Sequence, residues 1–346
     1  MRPQSQRESE WLLGLLRDPP DGALSERLAH LTEAEWDRLA AEALRHYAAP
    51  LLYHRLRRVA PALPAVRGIE ALRHEYVQNA LRNIRVYAAL SEVVSALEAA
   101  RIPVIALKGA HLAAVVYGEP ALRPMHDLDL LVRREDRSRA EDRLLQLGYR
   151  PMEYAREWTD YDAHHHSRPL FRDGATTVEI HSAIVPPTCP IRIDLEGLWG
   201  RARYAQLGDV RTLVLGPEDL ILHLCLHASY SHHFQIPLLS LYDIAAVLRH
   251  HSKEIDWPRL VSMADASGTG PVVYCTLRLV QATLGAELDA PSFESFVHDG
   301  TAEGVTDAIL DEILSTPVEV PTGVHSVVGE ERWDRRLHIL LRTIFP

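Results

Sequence analysis

From Ile69 to Ala100 the chain runs without a glycine or a proline, and at Ile102 its hydrophobic period changes. Before the break, Leu72, Tyr76, Leu81, Ile84, Tyr87, Leu90, Val94 and Leu97 recur at helical spacing. This predicts one long amphipathic helix, or two joined end to end. After the break, Ile102-Pro103-Val104-Ile105-Ala106-Leu107 is a short apolar run closed by Lys108-Gly109. That is the pattern of a buried strand ending in a turn. The switch implies a chain that combines long helices with a sheet.

The rest of the chain supports that reading. His111 to Tyr117 reads as a short helix stopped by Gly118, and Pro120 and Pro124 mark a loop. His126 to Val132 alternates sharply, as a half-buried strand does. Glu135 to Leu147 reads as a helix ending at Gly148. Tyr149–Tyr154, His166–Phe171 and Thr176–His181 are further strands, the last two split by the turn Asp173-Gly174. Upstream, Trp11 to Leu16 opens an apolar helical pattern, and Thr32 with Glu35 forms a capping box before Trp36, Leu39 and Leu44. Downstream, helices are expected over Pro217–Tyr230, Leu238–His250, Trp257–Ala266, Val272–Leu284 and Arg332–Ile344. The expected architecture is α+β. A small mixed β-sheet core, 101–190, lies between an N-terminal helical region, 1–100, and a C-terminal helical domain, 191–346.

Composition narrows the function classes. A length of 346 residues suggests roughly two domains at about 150 residues each. The net charge of −10 argues against a broad basic surface for long duplex DNA. No apolar stretch reaches the ~20 residues of a spanning helix, and the first ten residues are polar, so no membrane contact is expected. Three cysteines, Cys189, Cys225 and Cys275, lack any Cys-x-x-Cys spacing and fit a reducing, cytoplasmic setting. Of the 37 basic residues only Lys108 and Lys253 are lysines. A lysine kept beside a glycine in so arginine-rich a chain suggests a place where a compact ammonium is wanted.

Asp127-Leu128-Asp129-Leu130-Leu131-Val132 carries the chemistry. On a strand Asp127 and Asp129 share one face, while Leu128 and Leu130 point to the other. Two carboxylates about 7 Å apart along a strand repel each other, and a hard cation such as Mg²⁺ offsets that cost. A solvated strand end is the plainer alternative. Two neighbours favour the cation. Lys108-Gly109 is a strand-to-helix turn at which backbone N–H groups and an ammonium can meet phosphate oxygens. Val178-Glu179-Ile180-His181 repeats the alternation, and Glu179 becomes a third carboxylate if its strand neighbours the first.

Together, Leu107-Lys108-Gly109, Tyr117, Arg123, Asp127 to Val132, Gly148-Tyr149 and Val178 to His181 resemble the polymerase-β-type nucleotidyltransferase superfamily. More narrowly they resemble a bacterial family of uncharacterised nucleotidyltransferases, which Leu224-Cys225-Leu226-His227-Ala228 and Leu241-Tyr242-Asp243-Ile244 also fit. The resemblance implies transfer of a nucleoside monophosphate from an NTP, such as ATP, onto a hydroxyl or phosphate acceptor, with release of pyrophosphate. Asp127, Asp129 and Glu179 would hold Mg²⁺, two ions in all, and Glu179 would help deprotonate the acceptor. Lys108, Gly109 and Arg123 would contact the triphosphate. His181, two residues beyond Glu179 on the same strand face, either orients a carboxylate or touches phosphate, or is a satisfied histidine at a strand end. The acceptor would be a small molecule, a peptide or a protein more readily than an RNA end. Ala110 stands where the wider superfamily commonly has Gly or Ser, and Glu179 where it more often has Asp.

Nineteen histidines leave open questions. His164-His165-His166 reads as a solvated strand entry, although His166 reaches the site if its strand lies beside Glu179. His223 and His227 share a helix face, which lines or supports a cleft or, alternatively, binds Zn²⁺. No Gly-x-Ser-x-Gly, Walker or Gly-x-Gly-x-x-Gly sequence occurs. A nucleotide-binding interaction protein without turnover and a Mg²⁺ phosphohydrolase on the same carboxylate face are the competing readings.

Overall fold

The computed structural model describes residues 4–17, 26–59, 63–152, 164–186, 189, 191–232, 234–289 and isolated positions between 293 and 314. The helix expected over Arg332–Ile344 lies outside them. The chain divides into two compact units. One draws on Met1–Arg73, Leu224–Arg249 and Asp256–Pro346, the other on His74–His223 and His250–Ile255.

The first unit is helical. Its described helices are α1 (Gln4–Leu16), α2 (Glu33–Arg45), α3 (Ala49–Val59), the first turns of α4 (Arg67–Ala99), and three later ones considered below. The capping box before α2 is present: Thr32 Oγ1 accepts from the Glu35 amide, and the Thr32 amide donates to Glu35 Oε2 at 2.8 Å. Leu12, Leu16, Leu39, Leu52 and Leu56 are fully buried.

The second unit holds the sheet. Strands β1 (Val104–Ala106), β2 (Asp127–Val132), β3 (Arg150–Pro151), β4 (Leu170–Phe171), β5 (Thr177–His181), β6 (Arg203–Leu207) and β7 (Val210–Val214) lie in the order β3-β4-β5-β2-β1-β7-β6. The sheet is mixed. β2 is antiparallel to β1 and parallel to β5, and β1 is parallel to β7. The hairpin β6–β7 falls where helices alone were expected. Its signal was in the sequence: Gly208-Asp209 is a two-residue hairpin turn between alternating runs, and Gly208 has φ of +58°. Residues 153–154 of the strand expected over Tyr149–Tyr154 lie outside the described residues.

One sheet face is the core. Leu128, Leu130, Val178, Ile180, Val104 and Ala106 pack with Val86, Leu90, Val93, Val94 and Leu97 of α4 and with Ala140 and Leu144 of α6 (Arg137–Gln146). The other face carries the acids. The helix expected at His111–Tyr117 starts earlier, as the short α5 (Lys108–His111) running into a π turn, Leu112–Val116. α7 (Leu195–Arg201) precedes the hairpin. α8 (Pro217–Leu226), α9 (Leu238–His250), α10 (Trp257–Ser267) and α11 (Gly270–Leu284) follow, close to their expected bounds. No helix among the described residues is long and apolar enough to cross a membrane.

α4 is a single helix of 33 residues, but its inward face differs from the apolar stripe. Leu81 and Ile84 stand 48% and 66% exposed, whereas Asn79 and Asn83 are fully buried. The asparagines are inside because they hold a loop. Asn79 Nδ2 donates to the Ala121 carbonyl, and Asn83 Nδ2 donates to the carbonyls of Pro120 and Arg123. Tyr76, a turn earlier, bonds Glu119 through its hydroxyl. One row of polar residues on the helix thus fastens the loop that presents Arg123. Asn83→Leu is expected to destabilise the protein by about 1–3 kcal/mol, because the carbonyls of Pro120 and Arg123 lose the donor that a buried side chain supplies. Chemical denaturation checks this, together with faster hydrogen exchange over residues 119–123.

Candidate active site

The site forms where β1 ends beside the start of β2. The ladder pairs Ala106 with Leu130, and the Leu107 amide then donates to the Asp129 carbonyl at 2.9 Å. At the next residue the chain turns. Lys108 has φ of +37°, a left-handed conformation that costs a non-glycine residue energy and tends to be kept where function needs it. The turn brings the Lys108 ammonium to 3.2 Å from Asp129 Oδ2.

Asp129 is 5% exposed, so its charge needs partners. Lys108 takes one oxygen. His181 Nε2 takes the other, 2.8 Å from Oδ1. Glu179 joins them because β5 runs parallel to β2 with Asp129 directly opposite Glu179. His181 Nε2 lies 3.6 Å from Glu179 Oε2. The expected third carboxylate is therefore in place, on the neighbouring strand and on the same face.

Charge balance follows from these contacts. Burial works against the Lys108 ammonium, but Asp129, Asp127 and Glu179 outweigh it and raise its pKa. Burial also works against a charged His181, and the hydrogen bonds to Asp129 and Glu179 overcome it, so its pKa rises. Burial pushes the Glu179 carboxyl up, yet the His181 contact prevails and holds it below the usual value.

A carboxylate oxygen each from Asp129 and Glu179 and a ring nitrogen of His181 lie within 4.8 Å of one another, a donor set that fits a divalent cation. Asp127 is outside that trio. It begins β2 opposite Thr177, half-buried, and its charge reaches Lys108. Gly109 lies under Arg123: a Cβ there would sit 2.9 Å from Arg123 Nη1 and 3.2 Å from Met125 Cγ. A side chain at 109 would make the guanidinium shift. Arg123 Nη1 donates to the Pro124 carbonyl at 3.0 Å.

The histidine run is not a solvated strand entry. His166 bridges His181 across the sheet edge, and the rings of His165 and His166 lie 5.4 and 5.2 Å from that of His181. His223 is buried and feels the charges of Lys108, His181 and Asp129. His227 belongs to the other unit, where its ring packs against His232 at 4.5 Å. Sequence reasoning missed the roles of Asn79, Asn83 and His165. The asparagines' signal was polarity at helical spacing inside an apolar helix.

Buried neutral histidines set a pH dependence. Burial, reinforced by neighbouring positive charge, lowers His223 to about 3, His111 to about 3 and His165 to about 2. Their folded values lie below the unfolded 6.5, so the unfolded state binds more protons as pH falls, and stability drops from about pH 6.5 downward. His181, with its raised value, acts above pH 6.5, where its stabilisation is lost as pH rises, and leaves the slope below that unchanged. Melting temperature against pH checks the slope, and His223→Gln is expected to make it shallower.

A mixed sheet with carboxylates, an imidazole and an ammonium gathered on one face defines an α+β protein with the donor set of a divalent-cation centre. The chain belongs to the family described as uncharacterised nucleotidyltransferase, whose model matches residues 32–285. This bears out the resemblance read from the motifs. Among solved structures, the antibiotic-resistance factor ANT(2'')-Ia in solution is similar at 15% identity and a TM-score of 0.35, covering 57% of this chain and 94% of that one. ANT(2'')-Ia in complex with adenylyl-2''-tobramycin is similar at 14% identity and a TM-score of 0.37, covering 53% and 97%. No curated protein matches the chain at a significant level.

Proposed function

We propose that this protein transfers a nucleoside monophosphate from an NTP to a hydroxyl or phosphate acceptor and releases pyrophosphate. The observation that carries the reading is Asp129 and Glu179 in register on adjacent parallel strands, with Lys108 set against Asp129. Asp127, Asp129 and Glu179 are the residues to hold Mg²⁺, in a two-ion arrangement. A bound divalent cation supplies charge neutralisation for the triphosphate and for the leaving pyrophosphate. The chain's own residues do the rest. Lys108 is poised to exchange its contact with Asp129 for a phosphate oxygen. Arg123, laid across Gly109 and fastened by Asn83 through its carbonyl, places a second cation beside the turn. His181 orients Asp129. Glu179, held ionised, is available to accept the acceptor's proton. The acceptor class is a small molecule, a peptide or a protein.

The test is to incubate the protein with MgCl₂ and each of the four NTPs labelled at the α-phosphate, against pools of small molecules and peptides. The expected result is pyrophosphate released in step with label on a new product. Label recovered only as free mono- or diphosphate would instead make the protein a hydrolase.

A further inference from the structure

We propose that His181 is a direct ligand of the cation, through Nε2, and that the site therefore selects a first-row transition cation of the Mn²⁺-to-Zn²⁺ class over Mg²⁺. This rests on the metal-dependent reading above and deepens it.

The argument is geometric. Two ligand atoms of one ion, each about 2.1 Å from it, stand about 3.0 to 3.4 Å apart for angles between square and tetrahedral. His181 Nε2 lies 2.8 Å from Asp129 Oδ1 and 3.6 Å from Glu179 Oε2. The nitrogen is therefore already near coordination spacing from an oxygen of each carboxylate. That nitrogen already faces both acids, and binding the ion releases the Nε2 proton to solvent and replaces its hydrogen bond to Asp129 by a shared cation.

Burial keeps the ring in place. The side chain is 2% exposed, and among the described residues the contacts that orient the imidazole are those of Nε2 and the packing of His165 and His166. His165 and His166 pack around the same ring and leave the wall beside the acids imidazole-rich. A site with an imidazole among three close donors differs in kind from an all-oxygen one. Mg²⁺ is hard, prefers oxygen and retains its waters, whereas imidazole nitrogen favours the borderline first-row ions. Asp127 and Asp129 alone would present oxygen only. The step along β5 from Glu179 to His181 is what adds the nitrogen.

The test uses the whole protein, stripped with a chelator, and metal salts as probes. In calorimetric titration, MnCl₂ and ZnCl₂ are expected to bind at least ~10-fold tighter than MgCl₂, and His181→Gln is expected to bring the ratio down by ~10-fold or more. Pulsed electron paramagnetic resonance of the Mn²⁺-loaded wild type is expected to show ¹⁴N coupling. That coupling should be replaced by a ¹⁵N signal when histidine is supplied as the ¹⁵N form. This readout needs no variant to fold. Bound Mn²⁺ without nitrogen coupling would overturn the proposal and leave the metal-dependent transferase reading standing. Absence of binding by all three salts, with ATP as well as without, would overturn both.

Discussion

Asp129→Asn is expected to remove the stabilisation that an NTP with Mg²⁺ confers on the wild type. A ligand at 100 times its dissociation constant adds about 2.7 kcal/mol, which for a unit of about 150–250 residues raises the melting temperature by roughly 5–10 °C. The variant keeps the size of the side chain and changes its charge. It keeps one acceptor oxygen but loses the negative charge that Lys108 meets at 3.2 Å and His181 at 2.8 Å. Its baseline stability is a poor guide, because the change both relieves repulsion with Glu179 and strands two cations. The quantity to read is therefore the shift on adding ligand, by scanning fluorimetry with each NTP. Turnover is expected to fall at least ~10³-fold, as when a preorganised electrostatic partner is removed. A variant that shifts as the wild type does would show that the nucleotide binds elsewhere.

Lys108→Met carries the second large effect. Removing the ammonium leaves Asp129, Asp127 and Glu179 without their common positive neighbour. Breaking a largely buried pair from one side costs roughly 3 kcal/mol, or about 6–12 °C in melting temperature. The loss should be greatest in chelator, where nothing replaces the ammonium. A divalent salt should stabilise the variant more than the wild type, since the cation then supplies the missing charge. Nucleotide affinity should remain weak, because Lys108 is also the proposed phosphate contact. Equal melting of variant and wild type in chelator would mean that the Lys108–Asp129 contact adds nothing to the folded state.

Both predictions rest on a strand-to-helix turn that was visible as Lys108-Gly109, one of two lysines in the chain. The reason for the glycine was less visible. Gly109 was read as a place for phosphate to approach, and the structure gives it a second use, making room for the Arg123 guanidinium. The long helix shows the same limit. Its existence followed from the gap without glycine or proline, but Leu81 and Ile84 were counted among its apolar positions and lie outside. Periodicity finds a stripe; it does not say where along 33 residues the stripe meets a partner.

What the sequence by itself determined is local. The alternation of Asp127-Leu128-Asp129-Leu130 assigns acids and leucines to opposite faces whatever the strand pairs with, because successive side chains on a strand point opposite ways. The same holds for Glu179 and His181. The capping box at Thr32, the helix opening at Pro217 and the turn at Gly174 are likewise set by a few consecutive residues. Tertiary structure alone decided which strands became neighbours. β2 and β5 are some fifty residues apart, and only their parallel pairing, with Asp129 opposite Glu179, gathers the donors. It also decided that His165 and His166 pack against His181, and that two asparagines hold the Arg123 loop. Such contacts depend on how several apolar surfaces pack at once. A one-residue slip between β2 and β5 would send the acids and the core leucines to the wrong faces, and burial of Leu128, Leu130, Val178 and Ile180 excludes it.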